Sequence, residues 1–517
     1  MKYIVFSLLF LFAQANYAQN IMISNEYHPN EPSIIINPKN PAQILAASNI
    51  NNYYFSQDTG KTWTTNKLTS PELGVWGDPA LLVDTLGDFY FFHLSNPVNG
   101  NWIDRIVCQK TSDLTTTWTS GSYMGLNGTK VQDKEWPVVN PANNHIYITW
   151  TEFDQYDSDD PADSSRIMFS KSLDAGATWA PAKKINKVNG DCVDSDNTVE
   201  GATPAIGPNG ELYVAWAGPE GLIFDRSLDE GDTWLNDDIF VSDFPGGWDY
   251  SVPGIYRCNG LPVTKCDISG GTNHGTIYIN WTDQRNGEND TDVWLAKSTD
   301  NGNTWNAPIR VNNDPAGRHQ FLTWMDIDQT TGYLYFVFYD RRNYSDSQTD
   351  VYLALSKDGG ETFINRKISE SPFTPTPGIF FGDYNNISVH DGIVRPIWTR
   401  LQGGQLSIWT DITPSENIFT ATQEASINIS SIETFPNPVS TKDKAYISFK
   451  LHKPSTITIS IYNASGQLVY QPLTQKMFGS GKHIVPIELK KLGKTSGAFH
   501  YTLDVNGQKI SKKLMVE

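Results

Sequence analysis

An eight-residue string recurs along most of this 517-residue chain and constrains its fold more than any other feature. The pattern Ser-x-Asp-x-Gly-x-Thr-Trp occurs at residues 56–63, 172–179, 227–234 and 298–305. A fifth copy, at 356–363, ends in Phe, and a degenerate sixth copy occupies 111–118. Successive copies start 55, 61, 55, 71 and 58 residues apart. Self-similarity at such a period indicates a repeat architecture.

The string has the chemistry of a tight turn. Its Asp can accept hydrogen bonds from turn amides, its Gly can adopt a positive φ, and its aromatic residue can pack beneath the sheet. Six copies of one string serve a fold better than they serve a catalyst, so we predict a structural role. The string resembles the Asp box (BNR repeat) of the sialidase superfamily.

Each string follows two or more β-like apolar runs, so one repeat is expected to form four strands with the string between the third and the fourth. Four-stranded units of about 50 residues arranged around a ring are propeller blades. We predict an all-β protein with a seven-bladed, sialidase-like β-propeller over residues 19–412. Residues 21–24 would supply the last strand of the seventh blade. Six blades is the alternative if a terminal unit joins its neighbour.

The N-terminus predicts export. Lys2 precedes an apolar run at residues 4–12 that is too short to cross a bilayer, and a small residue, Ala18, follows, so residues 1–18 are expected to be a signal peptide. No later stretch is apolar enough for a transmembrane anchor. The four cysteines form no CxxC pair. Cys258 and Cys266 could close a disulfide, or could be free buried thiols.

The C-terminal part of the chain has a different pattern. Residues 413–430 are predicted to be a linker and residues 431–517 a small β-sandwich domain. The Phe-Pro-Asn-Pro opening at 435–438, the Ser-Gly-Gln turn at 465–467 and the Lys-rich ending resemble the type A sorting domain of the type IX secretion system. The resemblance implies the type IX machinery as a partner and a secreted or cell-surface protein. An immunoglobulin-like carbohydrate module is the alternative.

The formal net charge of −18 repels polyanions, so nucleic acid is excluded as a partner. A polysaccharide or glycoconjugate is the expected partner of a monomeric protein.

One carboxylate stands just before the first strand of nearly every repeat, and His319 takes the comparable place in the sixth. In a propeller these positions surround one mouth of the central channel. The ring could bind Ca²⁺ or hold a protonated acid beside an ionised base, or each carboxylate could cap its own loop. Its members are Glu31, Asp78, Glu135, Glu200, Asp249 and Asp383.

The ends of the second strands carry arginines, acids and aromatic residues. Arginine forks bind carboxylate or sulfate, and aromatic faces stack on sugars. We predict Asp283, Asp340, Tyr339 and Glu135 as catalytic residues. The predicted substrate-binding residues are Arg285, Arg342, Arg400, Trp281, Trp150 and His319. Structural Asp–Arg bridges are the alternative for the pairs at 283/285 and 340/342.

Authentic exo-sialidase activity is not expected. Sialidases hold the substrate carboxylate with three arginines, the first in an Arg-Ile-Pro-like motif ahead of the first Asp box. Here the corresponding residues 33–38 contain no arginine, and the first arginine of the chain is Arg105.

Asp194, Asp196 and Glu200 form an oxygen-rich segment that could bind calcium, although it lacks EF-hand spacing and could be a solvated loop. No cofactor is required.

From the predicted fold and site residues we expect a secreted, glycosidase-like hydrolase that acts on an acidic or sulfated polysaccharide. A non-catalytic glycan- or protein-binding propeller is the second hypothesis. A polyuronide lyase with His93, His319 or Tyr339 as base is the third.

Overall fold

The fold is described from a computed structural model that covers residues 19–113, 117–420, 429–441, 443–451, 454–463, 466–493, 496–505 and 508–517. The predicted signal peptide lies outside these residues. The chain divides into two compact units, one ending at Ala421 and the other beginning at Thr422. Between the predicted domains, residues of the expected linker form a short helix, α1 (Ser415–Thr420).

The described residues of the first unit form seven four-stranded antiparallel sheets, numbered here in chain order. A first strand, β1 (Asn20–Ser24), precedes them. Sheet 1 contains β2 (Ser33–Ile36), β3 (Ile44–Ser48), β4 (Asn52–Ser56) and β5 (Thr64–Lys67). Sheet 2 contains β6 (Gly77–Val83), β7 (Phe89–Leu94), β8 (Ile106–Thr111) and β9 (Ser122–Met124). Sheet 3 contains β10 (Val131–Val139), β11 (Ile146–Phe153), β12 (Ser165–Ser172) and β13 (Lys183–Lys184).

Sheet 4 contains β14 (Glu200–Ile206), β15 (Leu212–Gly218), β16 (Gly221–Ser227) and β17 (Ile239–Ser242). A two-stranded hairpin of β18 (Asp249–Tyr250) and β19 (Cys258–Asn259) is inserted before the next sheet. Sheet 5 contains β20 (Val263–Cys266), β21 (Ile277–Asp283), β22 (Asp292–Ser298) and β23 (Ile309–Arg310). Sheet 6 contains β24 (Gln320–Asp328), β25 (Tyr333–Asp340), β26 (Asp350–Ser356) and β27 (Ile364–Lys367). Sheet 7 contains β28 (Asn386–His390), β29 (Ile393–Gln402) and β30 (Gln405–Asp411), and β1 is its fourth strand.

The sheets form a closed ring, as in a β-propeller. The first strands of sheets 1 to 7 contact one another in order, and β28 of sheet 7 contacts β2 of sheet 1. Strand β1 pairs with β30, with Asn20 opposite Asp411 and Met22 opposite Trp409. This is the pairing that the sequence predicted for residues 21–24. Joining the first strand to the last sheet removes the free sheet edge that an open ring would expose.

The Asp boxes form the turns between third and fourth strands. In the first, Ser56 Oγ donates to Asp58 Oδ1 (2.8 Å) and accepts from the Gly60 amide (2.8 Å). Asp58 also accepts from the amide (2.9 Å) and the hydroxyl (2.7 Å) of Thr62. The same bonds recur in the boxes that begin at Ser172, Ser227, Ser298 and Ser356.

The aromatic residue of a box joins its own sheet to the preceding one. Trp234, which ends the box of sheet 4, packs edge-on against Phe169 of sheet 3 with ring centroids 5.2 Å apart. Trp305 of sheet 5 packs in the same way on Phe224 of sheet 4, at 5.1 Å. The boxes therefore stabilise turns and inter-sheet packing, as the structural interpretation predicted.

In the second unit, the residues that the structure describes form two antiparallel sheets. One has the order β31 (Ile429–Phe435), β32 (Ala445–Leu451), β35 (Gly481–Ile487). The other has the order β34 (Leu468–Phe478), β33 (Ser455–Tyr462), β36 (Gly497–Val505), β37 (Gln508–Val516). A 3₁₀ turn spans Leu489–Leu492. Both sheets contribute to one core, in which Phe449, Ile459 and Leu503 are fully buried. This is the predicted β-sandwich.

All four cysteines are buried free thiols, so the alternative without a disulfide holds in this structure. In the part of the chain that is described, no helix is long and apolar enough to cross a membrane.

Candidate functional site

A repeated β-bulge shapes one end of the central channel. In sheets 2, 3, 4 and 6 the first strand has two residues opposite one residue of the second strand, which re-aims the side chains at the bulge. The first bulge residue has a positive φ in each case: Asp78, Lys134, Gly201 and Leu322. The bulges lie between Gly77 and Ala80, Asp133 and Trp136, Glu200 and Thr203, and Phe321 and Trp324.

Lys134 connects three of the sheets at this channel end. Its Nζ donates to Asp383 Oδ2, which precedes sheet 7, at 2.9 Å, and to Asp78 Oδ2 of sheet 2 at 3.3 Å. Burial opposes the charged form of Lys134, but Asp133, Asp383 and Asp78 outweigh it and raise the pKa of the ammonium group. A protein cation therefore occupies the space between these carboxylates.

Arg257, on the inserted hairpin, makes a second link. Its Nε donates to Asp383 Oδ1 at 2.8 Å, its Nη2 also bonds that carboxylate, and its Nη1 lies 3.4 Å from Asp194 Oδ2. Burial disfavours ionisation of Asp383, yet Lys134 and Arg257 hold the pKa of its carboxyl well below its usual range. The Asp383 amide in turn donates to Glu31 Oε1 at 3.1 Å.

For three glutamates of the predicted ring, the pKa is shifted in the opposite direction to that of Asp383. Burial, reinforced by Asp78, raises the pKa of Glu135 and of Glu31 well above the usual value. Burial and the charge of Asp194 do the same for Glu200. Both carboxyl oxygens of Glu135, and Oε1 of Glu200, have no hydrogen-bond partner among the described residues. Carboxyl groups with raised pKa values therefore lie at the same channel end as Asp383, whose pKa is lowered.

A cavity of about 280 Å³ opens at this end of the channel. Its charged lining residues are Lys134, Asp194, Glu200, Asp249, Arg257 and Asp383. Aromatic residues complete the wall: Trp248, Tyr250 and Tyr256. Tyr256 is 60% exposed at the rim, where its ring meets Phe380 edge-on at 6.1 Å.

The sequence placed Asp249 at the start of a first strand, and this is wrong. Asp249 belongs to the inserted hairpin, whereas the first strand of sheet 5 starts at Val263. The hairpin accounts for the long 71-residue spacing between two Asp boxes. Asp249 still reaches the cavity and accepts a 3.0 Å hydrogen bond from the Ser195 hydroxyl.

The three arginines that were predicted to bind substrate are not brought together. Arg285 bonds Asp283 through Nε (2.9 Å) and reaches Ser242 at the end of sheet 4. Arg342 bonds Asp340 through Nε (2.8 Å) and reaches Asn313, beyond the last strand of sheet 5.

Arg400 follows the same rule. Its guanidinium donates to Ser371 Oγ (2.9 Å) and to the Pro372 carbonyl (3.0 Å), in the segment after sheet 6. Each arginine therefore braces its own sheet against the preceding one. The structure therefore does not gather these three predicted substrate-binding residues at one point, because each guanidinium is held by partners that neighbour its own sheet.

The aromatic and acidic residues predicted beside these arginines are also buried and hydrogen-bonded to other groups of the protein. Trp150 and Trp281 are fully buried and donate to Gln132 Oε1 (2.6 Å) and Asp283 Oδ2 (2.8 Å), so no sugar can stack on them. Tyr339 is fully buried, and its hydroxyl donates to the Thr399 carbonyl at 3.0 Å. Burial raises the pKa of Asp340 to about 6 despite its contact with Arg342.

The two histidines lie elsewhere. His319 is buried beside Thr291, with Nδ1 3.0 Å from Oγ1, and burial followed by the charge of Arg341 lowers its pKa to about 4. His93 is buried against the Leu94 carbonyl and Gln109. Neither these side chains nor Tyr339 lines this cavity.

The predicted calcium ligands are engaged by protein groups. Asp194 accepts from the Tyr156 hydroxyl at 2.5 Å, and Asp196 accepts from the Asp249 amide at 2.8 Å. Over the residues that the structure describes, no group of three or more His, Cys, Asp or Glu side chains is placed to hold a metal ion. Asp194, Asp196 and Glu200 therefore do not form the expected ligand set.

Sequence reasoning missed Lys134, Asp133 and Arg257. Burial raises the pKa of Asp133 to about 7 against the opposing effect of Lys134. The run Asp133-Lys134-Glu135, three charged residues at the start of a strand, was a usable signal. For Arg257, the signal was the unusually long spacing between the Asp boxes on either side of the hairpin.

Comparison with protein families concerns the second unit. Residues 433–517 match the family described as secretion system C-terminal sorting domain. The second unit is a sorting domain. Type IX secretion carries the protein to the cell surface or outside the cell, as the sequence predicted. No curated protein matches the chain in sequence.

Several solved structures are similar to the chain at low identity. The Hadza microbial sialidase Hz136 is 13% identical over 73% of this chain and 74% of its own, with a TM-score of 0.41. A PL25 ulvan lyase is 12% identical over 76% of this chain and 94% of its own, with a TM-score of 0.43. The Trypanosoma rangeli sialidase is 10% identical over 87% and 84%, with a TM-score of 0.40.

Proposed function

We propose that the protein is a secreted glycan-processing hydrolase whose active site is the cavity at the bulged end of the channel. The observation that supports this proposal most is the environment of Glu200. Glu200 is a buried carboxylic acid with a raised pKa and an unpartnered oxygen, and it lies in the wall of a cavity that also contains ionised carboxylate. Glycosidic hydrolysis uses a pair of carboxyl groups, and Asp194 lies in the same cavity wall as Glu200.

Glu200 would act as the general acid. Burial and the neighbouring charge of Asp194 raise the pKa of the Glu200 carboxyl group, which favours the protonated form that a general acid needs to protonate a leaving glycosidic oxygen. Exclusion of water from the Glu200 carboxyl group favours its neutral form, because a charged carboxylate loses its hydration when it is buried.

Asp194 would be the opposing carboxylate. The Tyr156 hydroxyl and the Arg257 guanidinium orient it in the same cavity wall. It would activate a water or stabilise the positive charge that develops on the sugar ring. Lys134, Arg257 and Asp383 would fix the electrostatic field around the pair without reacting themselves.

The geometry favours a neutral sugar over the acidic or sulfated polysaccharide expected from the sequence. That expectation depended on Arg285, Arg342 and Arg400, whose guanidinium groups are hydrogen-bonded to protein groups of their own or the preceding sheet. In the cavity both cations, Lys134 and Arg257, are already paired with carboxylates. A carboxylate or sulfate on the substrate would meet this acidic lining without a free cation to bind it.

The same pairing supports a second candidate, a non-catalytic glycan-binding propeller. If the cluster around Asp383 serves only to hold the sheets together, the cavity and its aromatic rim would bind a sugar without cleaving it. The hydrolase proposal requires Glu200 for cleavage of the polymer, whereas the binding proposal predicts no cleavage with or without Glu200.

The test is a panel of galactomannan, xyloglucan, mixed-linkage β-glucan, alginate and chondroitin sulfate, assayed for new reducing ends and for unsaturated products. We expect reducing ends from a neutral polymer, and loss of about 10²–10⁴-fold in kcat for Glu200→Gln. Glu220→Gln is the control, because Glu220 is exposed in the turn after β15 of the same sheet. Binding without products would support the second candidate, and undiminished turnover by Glu200→Gln would refute the role of Glu200.

A further inference from the structure

Three aromatic rings form a continuous row on the first unit. Trp76 and Trp102 meet edge to face with ring centroids 5.8 Å apart, and Trp102 meets Tyr156 in the same way at 5.7 Å. Trp76 is 41% exposed and Trp102 is 40% exposed. Large aromatic side chains left partly in water and in mutual contact are typical of an interaction surface.

The row lies at the same end of the propeller as the cavity. Trp76 precedes β6, Trp102 lies between β7 and β8, and Tyr156 lies between β11 and β12, so all three are in loops at the bulged end of sheets 2 and 3. The Tyr156 hydroxyl donates to Asp194, which lines the cavity. The aromatic row therefore leads from the cavity wall outward over two sheets.

Three cations that are near the row in the chain, Arg105, Lys130 and Arg166, are already paired with carboxylates. Arg105 bonds Asp104 at 2.7 Å, and Asp154 is bonded by Lys130 and Arg166. An anionic polymer would therefore find no free cation among these groups, whereas the apolar faces of sugar rings can pack on exposed indoles. A chain of uncharged sugars fits this combination of aromatic surface and paired charge.

We propose that Trp76, Trp102 and Tyr156 bind successive sugars of a neutral polysaccharide that continues out of the cavity. The inference rests on the proposed function and deepens it, since it makes the substrate an extended polymer rather than a single terminal sugar. Tyr156 has two roles in this arrangement, because its ring continues the row while its hydroxyl orients Asp194.

The experiment uses the full-length protein and affinity electrophoresis in gels that contain galactomannan, xyloglucan or mixed-linkage β-glucan. We expect at least one polymer to retard the wild type, and Trp102→Ala and Trp76→Ala to weaken that binding by about tenfold or more. Phe240→Ala is the matched control, because Phe240 is an exposed aromatic residue on β17, the outermost strand of sheet 4. Trp102→Phe should lose less than Trp102→Ala because it retains an aromatic face.

A second measurement does not depend on the variants folding. Acrylamide quenching of wild-type tryptophan fluorescence should decrease when the retarding polysaccharide is added, since exposed indoles become covered. Unchanged quenching, equal binding by Trp102→Ala and Phe240→Ala, or no retardation by any of the three neutral polymers would each overturn the inference. Parallel gels contain alginate or chondroitin sulfate, and retardation in these gels but in none of the neutral-polymer gels would overturn the neutral class.

The two proposals can fail separately. If Glu200→Gln abolishes polymer cleavage while Trp76→Ala and Trp102→Ala cleave and bind like wild type, the hydrolase stands and the aromatic row does not bind substrate. If the tryptophan variants lose binding but no polymer is cleaved by the wild type, the row binds a glycan and the hydrolase proposal fails. A protein partner captured through Trp102, with no retardation by polysaccharide, would assign the row to protein binding instead.

Discussion

Lys134 and Asp383 lie 249 positions apart in the chain, yet the ammonium group of one bonds the carboxylate of the other at 2.9 Å. The bond connects sheet 3 to the segment before sheet 7 at the channel end. Lys134 also bonds Asp78 of sheet 2, so one buried cation compensates acids from two other sheets. Removing a partner from a buried pair leaves an uncompensated charge, which is more costly than losing an exposed pair.

Replacing this lysine should therefore destabilise the first unit. We expect Lys134→Met to lower the free energy of unfolding at pH 8 by about 3–5 kcal/mol, because Asp78 loses its ammonium partner and Asp383 keeps only Arg257. Urea unfolding measures the change. Lys61→Met, at an exposed position of the first Asp box, should change it by less than about 0.5 kcal/mol. Equal effects of the two variants would contradict a buried role for Lys134.

The Asp-box glycines should be sensitive to a single added methyl group. A Cβ at Gly231 would lie 2.2 Å from Cζ of Phe169 in the preceding sheet, and φ at Gly231 is +82°. Gly317 has a φ of +94° with open space around it, so Gly317→Ala carries the backbone strain without the collision. We expect Gly231→Ala to cost about 1–3 kcal/mol more than Gly317→Ala. The melting temperatures of both variants show whether packing of the Asp-box turn against the preceding sheet contributes to stability.

The raised pKa of Glu135 makes a prediction about pH. A carboxyl group whose pKa is higher in the folded state than its unfolded value of about 4.3 stabilises the fold when protonated, and this contribution is lost as pH rises towards the folded pKa. Glutamine resembles the protonated acid. The stability of Glu135→Gln relative to wild type should therefore increase from pH 5 to pH 8, by at most about 1.4 kcal/mol per pH unit.

Urea unfolding at four pH values across that range measures this gain. Both oxygens of Glu135 lack a hydrogen-bond partner, so the substitution removes no described bond. Glu220→Gln, at an exposed turn, serves as the control and should show no such trend. A gain that stays constant with pH would show that Glu135 is ionised in the folded protein.

The brace interpretation of the arginines is tested at Arg342. Its guanidinium bonds Asp340, Asn313 and Asn365 and lies 4.1 Å from the Tyr352 ring centroid. A lysine cannot make these bonds at once, so Arg342→Lys should lower stability by about 1.5–3 kcal/mol and leave polysaccharide binding intact. Arg318→Lys is the control, since Arg318 is exposed and its side chain donates to the Gly317 carbonyl. Lost binding with unchanged melting temperature would return Arg342 to the substrate site.

The sorting domain is tested by truncation. Deleting residues from 431 onward should leave the first unit folded, because it is a compact unit by itself, but trap the protein in the periplasm. Cell fractionation and the melting temperature of the trapped protein measure the two parts of the prediction. A truncated protein that still reached the medium would show that residues 433–517 are not required for export.

The part of the candidate site that the sequence predicted is the set of carboxylates before the first strands. Glu31, Asp78 and Asp383 do lie in one network, because equivalent positions of successive blades meet at the channel. Lys134 could not be placed from an alternating strand pattern. The bulge between Asp133 and Trp136 inserts an extra residue and changes which side chains face the channel.

The sequence by itself determined the Asp-box turns, the four-stranded repeat, the closure by residues 21–24 and the sorting domain. These features depend on contacts between residues that are near in sequence, such as Ser56 with Gly60, or on a pattern repeated many times. The tertiary structure alone decided which charged groups meet. Arg285 and Arg342 occupy equivalent positions in adjacent sheets, but each guanidinium is held by an aspartate two residues earlier and by a polar group at or just beyond the end of the preceding sheet. Side-chain direction and long-range partners depend on packing between blades, which a one-dimensional pattern does not contain.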